Sequence, residues 1–338
     1  MKILIIKTSA IGDVLQAFPV LEELRAHFPQ AQIDWIVEKP LASLLENTQA
    51  LSHTLVVDTK KWRRRPWCCR KEILQFIRAL RRTHYDVVLD LQGNAKSGFF
   101  TLFAKAKVKV GYSYRCLPEK INGLFTNSRI AVPKELDVRG RYLFVARAFF
   151  GLSPLPQRKP EINSKSATSS NTLMVCFGSN WKNKQLTDEQ LLELLSKIEN
   201  YCDPHFLFIY GNSSEEKTAR ALEHRFAKGR ALGGLSLPDW RKKMEEVDLV
   251  LAMDSAALHL AATTPTPTFS LFGPSSMQAY KPTGDHHGAL QGPCPYGVKM
   301  DKRCPRLRTC STGSCLRKLD PEAIFLAMQK MLDRFLHV

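Results

Sequence analysis

Short apolar runs rich in branched residues alternate along this chain with longer stretches whose apolar positions recur at helical spacing. Lys2-Ile-Leu-Ile-Ile6 is a short apolar run rich in branched residues, the pattern of a parallel strand covered on both faces. Val14, Leu15, Phe18, Leu21, Leu24 and Phe28 then fall on one helical face, with Pro19 in the early turns as a point of bending. Ile33–Val37 predicts a second strand, Leu41–Glu46 a short helix, and Leu55–Asp58 a third strand leading into Lys60-Lys-Trp-Arg-Arg-Arg65. A helix over Arg70–Thr83 and a fourth strand, Asp86–Leu91, follow; that strand ends in the polar loop Gln92-Gly-Asn-Ala-Lys-Ser97.

From Leu152 to Asn171 the chain turns to Pro, Ser, Lys and Asn without periodicity, which marks an interdomain linker, placed at 156–172. The alternation then restarts. Strands are expected at Leu173–Phe177, Phe206–Tyr210, Leu249–Met253 and Thr268–Phe272, with helices at Asp188–Asn200, Glu215–Ala227, Pro238–Glu246 and Ala256–Ala262. Strand and helix in alternation define an α/β protein with doubly wound sheets. The expected architecture is two Rossmann-like domains facing a cleft, 1–155 and 173–320, and a final helix within 321–338 that crosses back to the first domain.

Length agrees, since 338 residues suit two α/β domains better than one core. A composition of 44% hydrophobic and 24% charged residues is that of a soluble globular protein. No run reaches the ~18 apolar residues of a membrane span, and the chain enters a strand at once without a cleavable signal pattern, so the cytoplasm is the expected location. Nine cysteines in that setting imply reduced thiols or a metal site. The charge is uneven: residues 1–160 hold 27 Lys and Arg against 13 Asp and Glu, and residues 161–338 hold 22 against 19. The basic first half calls for an anionic partner, whether nucleic acid, an acidic membrane surface or a phosphorylated substrate.

Candidate chemistry gathers in the loops after strands, where open α/β sheets bind ligands. Lys7-Thr-Ser-Ala-Ile-Gly-Asp-Val14 supplies only Gly12 of a dinucleotide fingerprint, which argues against a hydride-transfer enzyme. It does supply Asp13, which on spacing alone reads equally as a general base or as an ordinary helix cap. Phe177-Gly-Ser-Asn-Trp-Lys-Asn-Lys184 suits a phosphate or, more commonly, is a solvated loop. Glu215 in Gly211-Asn-Ser-Ser-Glu215 can accept from a ribose hydroxyl, or Ser214 can simply cap a helix. In Met253-Asp-Ser-Ala-Ala-Leu-His-Leu260 a strand ends in Asp254 and a helix begins at once, so Ser255 and Ala256 can aim N–H groups at a diphosphate. His259 lies on the apolar side of that helix, the place of a packing histidine. Phe272-Gly-Pro-Ser275 forms the adjoining wall.

In order, Lys7-Thr-Ser-Ala-Ile-Gly-Asp-Val14, Ile33-Asp-Trp-Ile-Val-Glu38, Lys60-Lys-Trp-Arg-Arg64, Asp90-Leu-Gln-Gly-Asn-Ala-Lys-Ser97, Met253-Asp-Ser-Ala-Ala-Leu-His259 and Phe272-Gly-Pro274 resemble the bacterial lipopolysaccharide heptosyltransferases of glycosyltransferase family 9. The first three most resemble the heptosyltransferase I branch. The resemblance implies a GT-B fold, an ADP-L-glycero-D-manno-heptose donor, the Kdo sugar of Kdo-lipid A as acceptor, and inversion at the transferred sugar without a required cofactor. It implies that Asp13 is the general base and that Lys184 holds the departing diphosphate with Ser179, Asn180 and the backbone of Ser255 and Ala256. Glu215 would bind the ribose, Asp254 the heptose hydroxyls, and His259 would stand with these donor residues. Lys60, Lys61, Arg63, Arg64 and Lys96 would meet the acidic acceptor, which agrees with the charge split. Contact with the inner face of the inner membrane would be peripheral.

The chain departs from the heptosyltransferase I pattern in three places. Ala256 replaces a glycine, Ser179-Asn180 replaces a threonine pair, and Cys294, Cys304, Cys310 and Cys315 form an extra segment able in principle to bind structural zinc or iron. Two rivals follow: a family-9 branch that glycosylates a protein or another sugar and docks through a metal-bound cysteine segment, and a non-enzymatic nucleic-acid binder using residues 60–65 with Trp62. The second leaves the donor motifs unexplained, and no nucleic-acid partner is expected. A catalytically inactive family member is the third alternative.

Overall fold

A computed structural model describes residues 1–46, 48–155, 171–298 and 300–337. The chain divides into two compact units, Met1–Gln157 and Arg158–Val338. The expected linker at 156–172 lies outside the described residues except for Asn171 and Thr172, and Thr172 already opens a strand.

The first unit is a six-stranded sheet of β1 (Lys2–Ile6), β2 (Gln32–Glu38), β3 (His53–Val57), β4 (His84–Asp90), β5 (Lys105–Tyr112) and β6 (Ser128–Ile130). Every neighbouring pair is parallel and the order is β3-β2-β1-β4-β5-β6. β1 lies between β2 and β4, and Ile3, Leu4, Ile5 and Ile6 are completely buried, as a strand covered on both faces requires. The single helix expected after it is two, Ile11–Leu15 and Phe18–His27. Pro19 has no N–H to offer the Leu15 carbonyl, so it stands at the start of the second helix rather than bending one helix. The buried Glu23 carboxylate pairs with Arg147 and ties that helix to Val138–Phe150.

The basic run is a helix, Thr59–Arg64, capped by Asp58, which accepts from the Lys61 N–H at 3.0 Å. Trp62 is not available to stack on a nucleic-acid base. Its ring is buried against Phe76 and Phe100 at 5.6 and 6.4 Å, and its Nε1 donates to Glu72 at 2.9 Å.

The second unit repeats the plan with β7 (Thr172–Cys176), β8 (His205–Tyr210), β9 (Gly229–Gly233), β10 (Leu249–Met253), β11 (Thr268–Phe272) and β12 (His287–Gln291). Its order, β12-β11-β10-β7-β8-β9, is the order of the first sheet read from the other edge. The final helix, Pro321–Phe335, buries its apolar face within the second unit. Ile324, Met328, Met331, Leu332 and Phe335 are buried in the core of the second unit with Leu191, Leu194 and Ile198 of the helix Asp188–Cys202. No described helix is long and apolar enough to cross a membrane.

Met328 is completely buried in that core, so Met328→Ala should lower the stability of the second unit by about 2–5 kcal/mol through lost contacts and a residual cavity. Urea unfolding followed by circular dichroism would show the loss; an unchanged midpoint would mean that the helix is not integral to this core.

Candidate functional site

In each sheet the strand order reverses beside the first strand of the unit. Crossover connections therefore leave toward opposite faces and open a crevice at the carboxyl edge, between β1 and β4 in one unit and between β7 and β10 in the other. The sequence-predicted residues divide between these two crevices.

At the first, the loops after β1 and β4 are laced together. Gln92 Oε1 accepts from the backbone N–H groups of Thr8 and Ser9 at 3.2 and 3.3 Å. Fully buried Asp90 holds the Gln92 turn, accepting from the N–H groups of Gln92 and Gly93 at 3.0 and 2.9 Å, from Thr101 Oγ1 at 3.0 Å and from Asn122 Nδ2 at 2.7 Å. Gly93 sits at φ +73°, a conformation that favours glycine.

Asp13 is half-buried and is the third residue of its helix, whose N-cap is Ala10. Its Oδ2 accepts from the Ala10 N–H at 3.3 Å and its Oδ1 from the Tyr142 hydroxyl at 3.4 Å, while the Tyr142 ring carries the Lys7 ammonium 4.8 Å from its centroid. The carboxylate is thus oriented from both sides. Lys96 Nζ lies 3.0 Å from both Ser9 Oγ and Glu38 Oε1, so part of its charge is already neutralised beside the loop. Lys60, Arg63 and Arg64 are exposed; Lys61 pairs with Glu72 at 2.6 Å.

At the second crevice the side chains form a buried ionic cluster. Lys184 Nζ is 2.5 Å from Asp254 Oδ2, which also accepts from Ser275 Oγ, and His259 Nε2 is 3.7 Å from Asp254 Oδ1. Burial pushes the Asp254 carboxyl up, but the His259 ring and the Lys184 ammonium outweigh it and hold it well below the usual carboxylate range. Ser255 is the N-cap of the helix Ala256–Ala261. After β8, Glu215 Oε2 accepts from the Gly211 N–H at 2.8 Å, and its carboxylate reaches the loop after β7, where it stands in the place a Cβ on Gly178 would take. Glycine at 178 is what permits that approach. Ser179 lies in the same loop and accepts through its carbonyl from Gln185 Nε2 at 2.8 Å; Asn180 is exposed.

The cysteine segment does not form the metal candidate. All nine cysteines are free, and among the described residues no three His, Cys, Asp or Glu side chains are placed to hold a metal ion. Each part of the segment answers to a different backbone anchor. The Cys304 N–H bonds to Pro274 O at 2.8 Å, Asn183 Nδ2 bonds to Leu307 O and Cys310 O at 2.8 and 3.0 Å, and Cys315 is buried on Ser314–Arg317. The segment braces the loops around Asn183 and Pro274, next to Lys184 and Ser275.

Tyr142, Gln92 and Lys7 were not singled out by the sequence, nor was the bond from Ser275 to Asp254. Lys7, Gln92 and Ser275 fall within motifs legible in the sequence, but nothing in those motifs marks them individually.

Two doubly wound units, each with a polar cluster at its switch point, make this a GT-B protein. The chain belongs to glycosyltransferase family 9, the heptosyltransferase family, whose model matches residues 73–308. It is 25% identical over 355 residues to lipopolysaccharide heptosyltransferase 1 of Pseudomonas aeruginosa, covering 98% of each chain. To lipopolysaccharide heptosyltransferase 1 of Salmonella typhimurium it is 26% identical over 334 residues, covering 96% of this chain and 99% of the relative. Its fold is similar to that of E. coli heptosyltransferase WaaC with ADP, with a TM-score of 0.81 at 22% identity over 98% of this chain and 100% of that one.

Asp254 titrates in the folded chain below its unfolded value of about 3.9, so its pairing stabilises the fold at neutral pH and that contribution is lost as the pH falls below about 4. Asp254→Asn should flatten the acid limb of a stability-versus-pH curve. Lys184→Met, which strands a buried carboxylate, should cost about 3–5 kcal/mol at neutral pH. Chemical unfolding from about pH 2 to pH 8 measures both; an acid limb of unchanged steepness in Asp254→Asn would refute the assignment.

Proposed function

We propose that the protein transfers heptose from ADP-L-glycero-D-manno-heptose to the Kdo sugar of Kdo-lipid A, with inversion at the anomeric carbon. The observation that carries this reading is the pairing of two different chemistries at equivalent topological positions: an oriented carboxylate at the first switch point and a buried lysine, held by Asp254, at the second. Family membership and the names of the full-length relatives support the donor and the acceptor.

In this reading the acceptor hydroxyl lies against Asp13. As its oxygen attacks the anomeric carbon, its proton passes to the Asp13 carboxylate and the bond from that carbon to the ADP oxygen breaks. Asp13 acts from a fixed orientation because Ala10 and Tyr142 each engage one of its oxygens. Lys184 places positive charge where the departing diphosphate gains negative charge, and Ser255 and Ala256 contribute backbone N–H groups. Ser179 and Asn180 complete the phosphate side, Glu215 accepts from the ribose, and Asp254, fixed by Lys184, His259 and Ser275, accepts from heptose hydroxyls. Lys60, Arg63 and Arg64 are exposed for an acidic acceptor, and Lys96 reaches it through the Ser9 loop. The acceptor's lipid part implies peripheral contact with the inner face of the inner membrane.

Incubating the protein with ADP-heptose and purified Kdo-lipid A should yield a product heavier by one heptose in mass spectra. Asp13→Ala should keep its fold and its affinity for ADP-heptose while transfer falls by roughly 10²–10⁴-fold. Near-normal turnover in that variant would falsify the base assignment.

A further inference from the structure

The first unit displays large apolar side chains on two segments that leave the carboxyl edge of its sheet. One follows β3: Trp67 is 84% exposed in the turn between the helices Thr59–Arg64 and Arg70–Leu80. The other follows β5: Ile121 and Leu124 are 51% and 71% exposed on the turn of helix Lys120–Phe125. Because β4 starts again at the amino edge, the helix Arg70–Leu80 must run back down the sheet, which leaves the Trp67 turn at the carboxyl edge. In the order β3-β2-β1-β4-β5-β6 the two segments flank β1, and therefore the Asp13 loop, from opposite sides.

Both apolar tips stand on anchored bases. Glu72 binds Lys61 and Trp62 behind Trp67, and Asn122 donates to Asp90 between Ile121 and Leu124. Their surroundings are strongly basic: Lys60, Arg63, Arg64, Arg65, Arg70 and Lys71 are exposed around the first, and Arg115 and Lys120 beside the second. The acidic residues of the two segments are occupied, Glu72 as described and Glu119 by the Ala95 N–H at 2.8 Å. An exposed tryptophan and leucine framed by arginines suit a surface that is negatively charged outside and apolar just beneath, because the cations meet headgroups while the tips enter the interfacial layer.

We propose that these two tips, one on either side of the loop that carries Asp13, dock the first unit onto an anionic phospholipid bilayer. The inference rests on the reading of the acceptor as a membrane lipid and names the surface that meets the membrane. Charge alone would hold the protein loosely and reversibly; the tips set its orientation.

The test uses the full chain and two readouts. In cosedimentation with vesicles of phosphatidylcholine containing roughly one third phosphatidylglycerol, the protein should bind, and it should not bind vesicles of phosphatidylcholine alone. The double variant Trp67→Ser/Leu124→Ser should bind the anionic vesicles about tenfold more weakly at the same salt. Heptose transfer to a deacylated, water-soluble Kdo-lipid A fragment should be unchanged in that variant. Equal vesicle binding by variant and parent would overturn the proposal in favour of charge alone. Absence of binding to either vesicle would overturn it in favour of a protein partner, and loss of transfer to the soluble fragment would reassign the tips to the acceptor site. If the unmodified protein fails to transfer heptose to the soluble fragment yet binds anionic vesicles through the tips, the functional reading fails and the docking surface stands.

Discussion

The reversal of strand order beside β1 and β7 is the constraint on which both candidate sites depend. Each of these strands is flanked on both sides and buried on both faces, so its chain emerges only at the carboxyl edge. The polar groups of the emerging loop must find partners there, because the core offers none. In the first unit the partner is neutral: the Gln92 amide oxygen takes the Thr8 and Ser9 N–H groups. In the second it is ionic: Lys184 from one loop meets Asp254 from the other. The same topological problem has two chemical solutions, and they leave behind different groups. A neutral tether leaves the Asp13 carboxylate available to a substrate, whereas the ionic tether leaves a fixed dipole with its cation from the loop after β7.

The asymmetry in charge follows the same division. The first unit gathers its cations on exposed helices and turns, where they are solvated and cost little stability, and where they attract an anionic surface over a distance set by salt. In the second site Lys184 and Asp254 are buried together, where burial strengthens their attraction and makes separation costly. Long-range attraction and close-range fixation are therefore separated between the units.

What the sequence made legible was local. β10 is an unbroken apolar run, β1 is one after Lys2, and β11 carries its apolar residues among Thr268 and Ser270; Asp13, Lys184 and Asp254 lie in the loops that follow predicted strands, so their placement needed no long-range information. β5, β9 and β12 left no such signal. β5 alternates Lys105, Lys107 and Lys109 with apolar residues, β9 contains Gly229 and Gly233, and β12 is the half-open edge of its sheet. Trp62 lay among cations, and only the fold shows that helix geometry turns it inward to Glu72 while its neighbours stay outside. The destination of the final helix was equally hidden, because an amphipathic face announces that it will be buried without saying against what. Tyr142 stands 129 residues from Asp13, and no spacing rule links them.

The buried pair also bears on how the proposed donor site would work. If Lys184 were a free surface lysine, each donor would have to immobilise a flexible ammonium and strip its water at the moment of reaction. Held 2.5 Å from Asp254, it is already ordered and already desolvated. Asp254 is in turn fixed by Ser275 and faced by His259, so the position of the ammonium is determined by a network rather than by one contact. An ammonium carries three donors, and the carboxylate does not exhaust them. The remaining capacity is oriented before any ligand arrives, which is the condition under which a charge stabilises a leaving diphosphate without a reorganisation penalty. The cost is borne by folding, as a buried ion pair that must be assembled whole, and the cysteine segment that braces Asn183 and Pro274 holds the neighbouring backbone while it forms.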